Sequence, residues 1–130
     1  ELVAGIGGIY PVCDLRSYPG LERAAPAFDL TPEALSGRLG EFNPVDRLAA
    51  LTAAGVPVLH LHGDQDRTVP LEANSAEVAR RYRELGGHMT LRVYEGRGHD
   101  MWEGWFQSAE LVDFLRDRAL QGAAPAATGR

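Results

Sequence analysis

Lysine is absent from this 130-residue chain, and all thirteen of its basic residues are arginine. That excludes Schiff-base chemistry on a lysine and the lysine of a phosphate-binding P-loop. Cysteine occurs once, at Cys13, so neither an intrachain disulfide nor a cysteine-built metal cage can form. A reducing, cytoplasmic setting is the expectation that goes with this usage. No apolar run approaches the roughly 20 residues that a membrane helix needs, and no signal-peptide pattern is visible. The net charge of −5 comes without a basic stripe, which argues against nucleic acid or an anionic membrane as partner. No cofactor is expected.

What is present is a 45% hydrophobic chain with strand and helix patterns in alternation. Leu2 to Tyr10 (LVAGIGGIY) is apolar without polar alternation, as in a strand covered on both faces. Residues 14–42 read as an irregular, lid-like excursion holding one short helix, with Thr31 as N-cap and Pro32 at its first position. Asn43-Pro44 starts a helix through Val45, Leu48, Leu51 and Thr52 that Gly55 closes. Val56 to His62 is a second strand. Pro70 opens a long helix to about Leu85, with Val78, Tyr82 and Leu85 facing inward and Glu77, Arg80, Arg81 and Glu84 on a solvated face. Met89 to Tyr94 is a third strand, and a last helix covers roughly Gln107 to Leu120. Residues 121–130 are expected to be a flexible tail. Strands alternating with helices imply an α/β fold with a parallel sheet and flanking helices. Its first strand is expected to keep one unpaired edge.

The stretch LHLHGDQDRTVP, residues 59–70, supports two chemistries. His60, His62 and Asp64 have the H-x-H-x-D spacing of a metal cluster, with imidazoles at i and i+2 on one face of a strand. That pattern resembles metallo-β-lactamase-fold hydrolases, but Gln65 stands where they have a further histidine, and only His88 and His99 remain to complete a site. Without metal, His60 is a core histidine satisfied by backbone or water. The other chemistry uses the loops beyond the carboxyl ends of neighbouring parallel strands, where functional groups collect. An aspartate of DQDRTVP and the histidine of GRGH would then meet across about one strand spacing, ~4.8 Å. The carboxylate would fix the imidazole tautomer and leave Nε2 free as a general base.

HGDQDRTVP resembles the H-G-x-x-D-x-x-V-P acid turn of α/β-hydrolases, and GRGH resembles their G-x-G-H turn. NPVDRLAAL followed by GVPVLHLHG is similar to the approach to the acid strand in the prolyl-oligopeptidase-like and dienelactone-hydrolase-like branches. The resemblance covers residues 2 to about 120. It implies a serine hydrolase acting on esters or amides, with Asp66 as the triad acid and His99 as the base. Asp64 falls at a variable position of the motif and is expected to make a side-chain bond within the turn. His62 is expected to order the loop.

The same resemblance implies a nucleophile in a G-x-S-x-G elbow ahead of the first strand. No such elbow occurs here: Ser17, Ser36, Ser75 and Ser108 all lack its flanking glycines. Cys13 sits among residues unsuited to an elbow and is expected to be small and buried. Residues 1–120 are therefore expected to be the C-terminal portion of an α/β-hydrolase domain, a partial fold carrying acid and base. Nucleophile and oxyanion donors would come from upstream residues or another chain, and these residues alone would be inactive. Trp102 and Trp105 are candidates to line a substrate pocket, against core packing of the last helix. Tyr18, Phe28 and Phe42 of the excursion are candidates to face the substrate. Two other readings stay open: a non-catalytic module associating through its exposed strand, and the metallohydrolase.

Overall fold

In the computed structural model, which describes residues 3–123, IGGI forms strand β1 (Ile6–Ile9). The connection to the next strand carries α1 (Leu21–Ala24), a 3₁₀ turn (Ala25–Phe28), α2 (Pro32–Ser36), α3 (Leu39–Phe42), a second 3₁₀ turn (Pro44–Asp46) and α4 (Ala49–Ala53). Then follow β2 (Val58–Gly63), α5 (Ser75–Glu84), β3 (Met89–Tyr94), α6 (Glu103–Phe106) and α7 (Ala109–Ala123). The strands form one parallel sheet in the order β1-β2-β3. Ile6 lies beside Val58 and Val58 beside Met89. Every residue of the central β2 is buried, as its Val/Leu content predicts for a sandwiched parallel strand.

Alternation along β2 sends its side chains to opposite faces. Val58 joins Val78 and Tyr82 of α5, Leu48, and Leu51 of α4 in one core. Leu59 and Leu61 pack on Trp105 of α6 and on Leu111 and Phe114 of α7 in the other. Helices thus cover both faces of an α/β sheet. α7 rides close over β1 because Gly7 has no side chain: a Cβ there would stand 2.7 Å from Leu111 Cδ1. Among the described residues β1 pairs with β2 alone, so its far edge is open.

Several boundaries differ from the sequence reading. β1 is shorter than Leu2–Tyr10, since β2 begins at Val58 opposite Ile6 and the backbone leaves the extended region at Tyr10, φ 35°; Leu2 itself lies outside the described residues. Its residues are half-buried and not covered on both faces. The excursion is largely helical, with Thr31 capping α2 as expected. It has a core of its own, in which Ala24, Ala25 and Leu35 are buried against Phe28 and Phe42. The helix expected from Asn43 breaks between the second 3₁₀ turn and α4, because Asn43 Nδ2 bonds Asp46 and the Val45 N–H turns back to Cys13 O.

α5 starts at Ser75 and not at Pro70. Asn74, just before it, directs its side chain to the Cys13 and Asp14 N–H groups, Ser17 Oγ and Pro70 O. Leu85, expected inside, is 51% exposed because it caps α5 after the buried stripe has ended. The last helix starts at Ala109 and not at Gln107, with Ser108 Oγ accepting the Leu111 N–H at its start. α7 then continues through residues 121–123, and the rest of the expected tail, 124–130, lies outside the described residues. No described helix is long and apolar enough to cross a membrane.

Candidate active site

β2 and β3 end side by side, Gly63 opposite Tyr94, and the two loops that follow are stitched together. The Asp64 N–H donates to Tyr94 O (3.2 Å) and the Gln65 N–H to Arg97 O (2.9 Å). Asp64 Oδ1 accepts the Gly96 N–H at 2.7 Å. Asp64 therefore bonds across to the second loop, and not within its own turn, which occupies its carboxylate as a clamp. Asp66, two residues on, curls its own turn: Oδ1 accepts the N–H groups of Thr68 (3.0 Å) and Val69 (2.8 Å). Its Oδ2 stands 2.9 Å from His99 Nδ1. The Asp66 side chain is fully buried, while 31% of the His99 side chain is exposed.

An aspartate oxygen facing Nδ1 requires the proton on that nitrogen, which makes His99 the Nδ1–H tautomer. Among the described residues nothing hydrogen-bonds its Nε2, so a basic lone pair is free at the carboxyl end of the sheet. This arrangement can accept a proton at Nε2 while the buried carboxylate stabilises the resulting imidazolium.

Behind the pair runs a polar chain that sequence reading missed. His60 and His62 point to the α5 face of β2, and both present Nδ1 to Ser75 Oγ, at 3.0 and 2.7 Å. His62 Nε2 lies 2.9 Å from Val69 O and 3.5 Å from Asp66 Oδ2. Both neighbours accept, so Nε2 carries the proton; Nδ1 then accepts from the Ser75 hydroxyl, which in turn accepts from His60 Nδ1–H. His62 does hold the loop after β2, through Val69 O. His60 is satisfied by a serine and not by backbone. Ser75 lies 15 residues from His60 and 13 from His62, a separation that no local motif signals.

The residues of the H-x-H-x-D stretch are directed apart: both Nδ1 atoms face Ser75, His62 Nε2 faces Val69 O, and Asp64 Oδ1 faces the Gly96 N–H. No group of three or more His, Cys, Asp or Glu among the described residues is placed to hold a metal ion.

Burial pushes the pKa of His60 down from 6.5 to about 4, with His62 adding to the effect, and burial lowers His62 too. Between these values the unfolded chain binds the proton that folded His60 refuses. Stability is therefore full above about pH 6.5 and falls as the pH drops toward 4, by on the order of 3 kcal/mol from His60. Urea unfolding at about pH 7 and about pH 4.5 is expected to show that slope, and His60→Asn to flatten it. Equal slopes would mean that His60 is not held neutral.

The aromatic residues divide. Trp105 is fully buried against Tyr10, Tyr94 and Trp102, and its Nε1–H donates to Asp100 Oδ1 at 2.8 Å, keeping that carboxyl below the usual range. It presents no surface to a ligand. Trp102 stays partly open, with the Arg97 guanidinium 4.0 Å over its ring. Phe28 and Phe42 pack on each other in the excursion's core, and Tyr18 is exposed. Cys13 is buried, its thiol pushed up to about 12, which leaves no nucleophilic thiolate. Ser17 donates to Asp14 O, Ser75 is buried in the histidine chain, and Ser108 caps α7.

Comparison with known proteins adds to this geometry. A family model described as phospholipase/carboxylesterase matches residues 33–116. No curated protein matches the chain. Among solved structures, a Bacteroides ovatus protein assigned as a dipeptidyl aminopeptidase IV superposes with a TM-score of 0.63 at 19% identity, covering 89% of this chain and 16% of its own. A puromycin hydrolase gives 0.61 at 22% identity, over 97% of this chain and 20% of its own. A thermophilic esterase from Thermogutta terrifontis gives 0.58 at 19% identity, over 97% and 45%. This chain spans less than half the length of each of these structures.

Proposed function

The chain belongs to the phospholipase/carboxylesterase family and has a partial α/β-hydrolase fold. From that premise we propose that it is the acid-and-base portion of a serine hydrolase acting on ester or amide bonds. One observation carries the reading: a buried Asp66 carboxylate 2.9 Å from His99 Nδ1, with Nε2 left open.

In this reading a serine attacks the substrate carbonyl as His99 Nε2 takes its proton, while Asp66 holds the Nδ1–H and stabilises the imidazolium. His99 returns the proton to the leaving group, and then draws one from the water that hydrolyses the acyl-enzyme. Residues 1–130 contain no glycine-flanked serine elbow, so the nucleophile and oxyanion donors belong to other residues. The open edge of β1 would receive their strand in parallel, bringing its carboxyl end beside His99. By itself this portion would not turn over substrate. Trp102 is the indole available to touch a small ester or peptide substrate. A cytoplasmic setting goes with the single cysteine.

Treating the intact protein with a fluorophosphonate tests the proposal. Labelling of a serine outside residues 1–130 is the expected result; labelling at Ser17, Ser36, Ser75 or Ser108, or none, would overturn it. The open β1 edge also favours a second reading, a non-catalytic module that recruits a partner strand. An intact protein that binds through that edge yet takes no label would establish the second reading instead.

A further inference from the structure

Tyr10, immediately after β1, has φ 35°, a backbone region that an aromatic L-residue rarely adopts. Only Asp29 shares a positive φ among the described non-glycine residues, and it caps a 3₁₀ turn, where aspartate is tolerated. Nothing in turn chemistry asks for a tyrosine at position 10. Its contacts do. The Tyr10 N–H donates to Leu61 O at 2.8 Å, which carries the ladder one residue past β1 and sets the side chain over the loop after β3. The ring then sits with its centroid 4.0 Å from the His99 imidazole at a tilt of 47°. It also meets Trp105 edge-on at 5.6 Å, and its hydroxyl donates to Asp100 O at 3.1 Å. An unusual backbone, a backbone hydrogen bond, a hydroxyl tether and a fully buried indole together hold one ring against the imidazole.

We propose that Tyr10 is a positioning residue for His99: its ring fixes the imidazole plane and stabilises the imidazolium formed when Nε2 takes a proton. This rests on the acid–base assignment above. An aromatic ring within about 6 Å of a cation attracts it, while a neutral imidazole gains only packing from the same contact. The stabilisation therefore grows along the reaction, as transition-state stabilisation requires. The other charged or titratable groups around the ring do not duplicate it. The Asp66 carboxylate holds Nδ1, His62 lies beyond that carboxylate, Asp100 is turned to the Trp105 and Trp102 N–H groups, and Arg97 lies over Trp102.

The test uses the intact protein and three variants. Tyr10→Leu removes the ring, and the acid limb of kcat/KM against pH is expected to move acidward by about half a pH unit. The plateau kcat is expected to fall roughly threefold. Tyr10→Phe keeps the ring and should leave the acid limb in place, although its tether to Asp100 is lost. Tyr10→Gly relieves the positive φ while removing the ring, so it should be more thermostable than Tyr10→Leu yet shift like it. NMR titration of the His99 ring protons reads the same displacement without turnover. Unmoved limbs and titrations in both ring-less variants, or an equal shift in Tyr10→Phe, would overturn the role given to the ring. Failure of the underlying reading shows differently: His99→Ala would then retain turnover, whatever the Tyr10 variants do.

Discussion

On the proposed acid–base assignment, Asp66→Asn is expected to cost the intact protein about four orders of magnitude in kcat, with the fold unchanged. The substitution is isosteric, and its remaining carbonyl oxygen can still accept the Thr68 and Val69 N–H groups that Oδ1 accepts now. The second oxygen is the one that matters, because it faces His99 Nδ1 at 2.9 Å. An amide nitrogen there presents donors to a donor. The imidazole answers by moving its proton to Nε2, and a protonated Nε2 cannot accept the serine proton. His99→Ala removes the base outright and should fall to the same floor, and the double variant should lose little more, since the residues act as a unit. Steady-state rates on an ester substrate, with circular dichroism to confirm folding, measure this. Near-normal turnover in either variant would remove that residue from the chemistry.

Gly63→Ala is expected to lower kcat by about 10²-fold and stability by about 1–3 kcal/mol. A Cβ on Gly63 would overlap the Arg97 carbonyl group, its carbon standing 2.6 Å away, and that obstacle is backbone and cannot rotate aside. Arg97 O is also the acceptor that ties the second loop to the Gln65 N–H. Making room for one methyl group therefore pushes the His99 loop off the Asp66 turn and strains every stitch between them. Rates and urea unfolding should fall together here, whereas Asp66→Asn should reduce the rate alone. A fully active, fully stable Gly63→Ala protein would show that the two loops do not approach as described.

The contrast between these variants marks what could be read from residue order. The H-G-x-x-D turn and the G-x-G-H turn each end a run of strand-forming residues. Parallel neighbours place such loops at one edge of the sheet, so an aspartate of the first turn meeting His99 follows from residue order. The resemblance to the α/β-hydrolase turns singles out Asp66, which the structure sets against His99. Asp64 could not be placed the same way: a variable motif position says nothing of the Gly96 N–H it meets 32 residues later. Trp105 was legible as apolar but not as wholly buried, since its place depends on Tyr10, Tyr94 and Trp102 arriving from other elements. The single helix expected after Asn43 failed because a hydrogen bond from Val45 to Cys13 outweighs local propensity there.

Sequence alone determined the alternation of strands and helices, the buried central strand and an aspartate and a histidine in the loops at neighbouring strand ends. Those properties depend on period and order along the chain, which local hydrophobicity and turn chemistry encode. Tertiary structure alone decided that Ser75 joins two imidazoles behind Asp66, that Asn74 anchors the segment after β1, and that Tyr10 lies against His99. Each of these joins residues 13 to 89 positions apart on different elements, and only the packing of helices on both faces of the sheet brings them within reach.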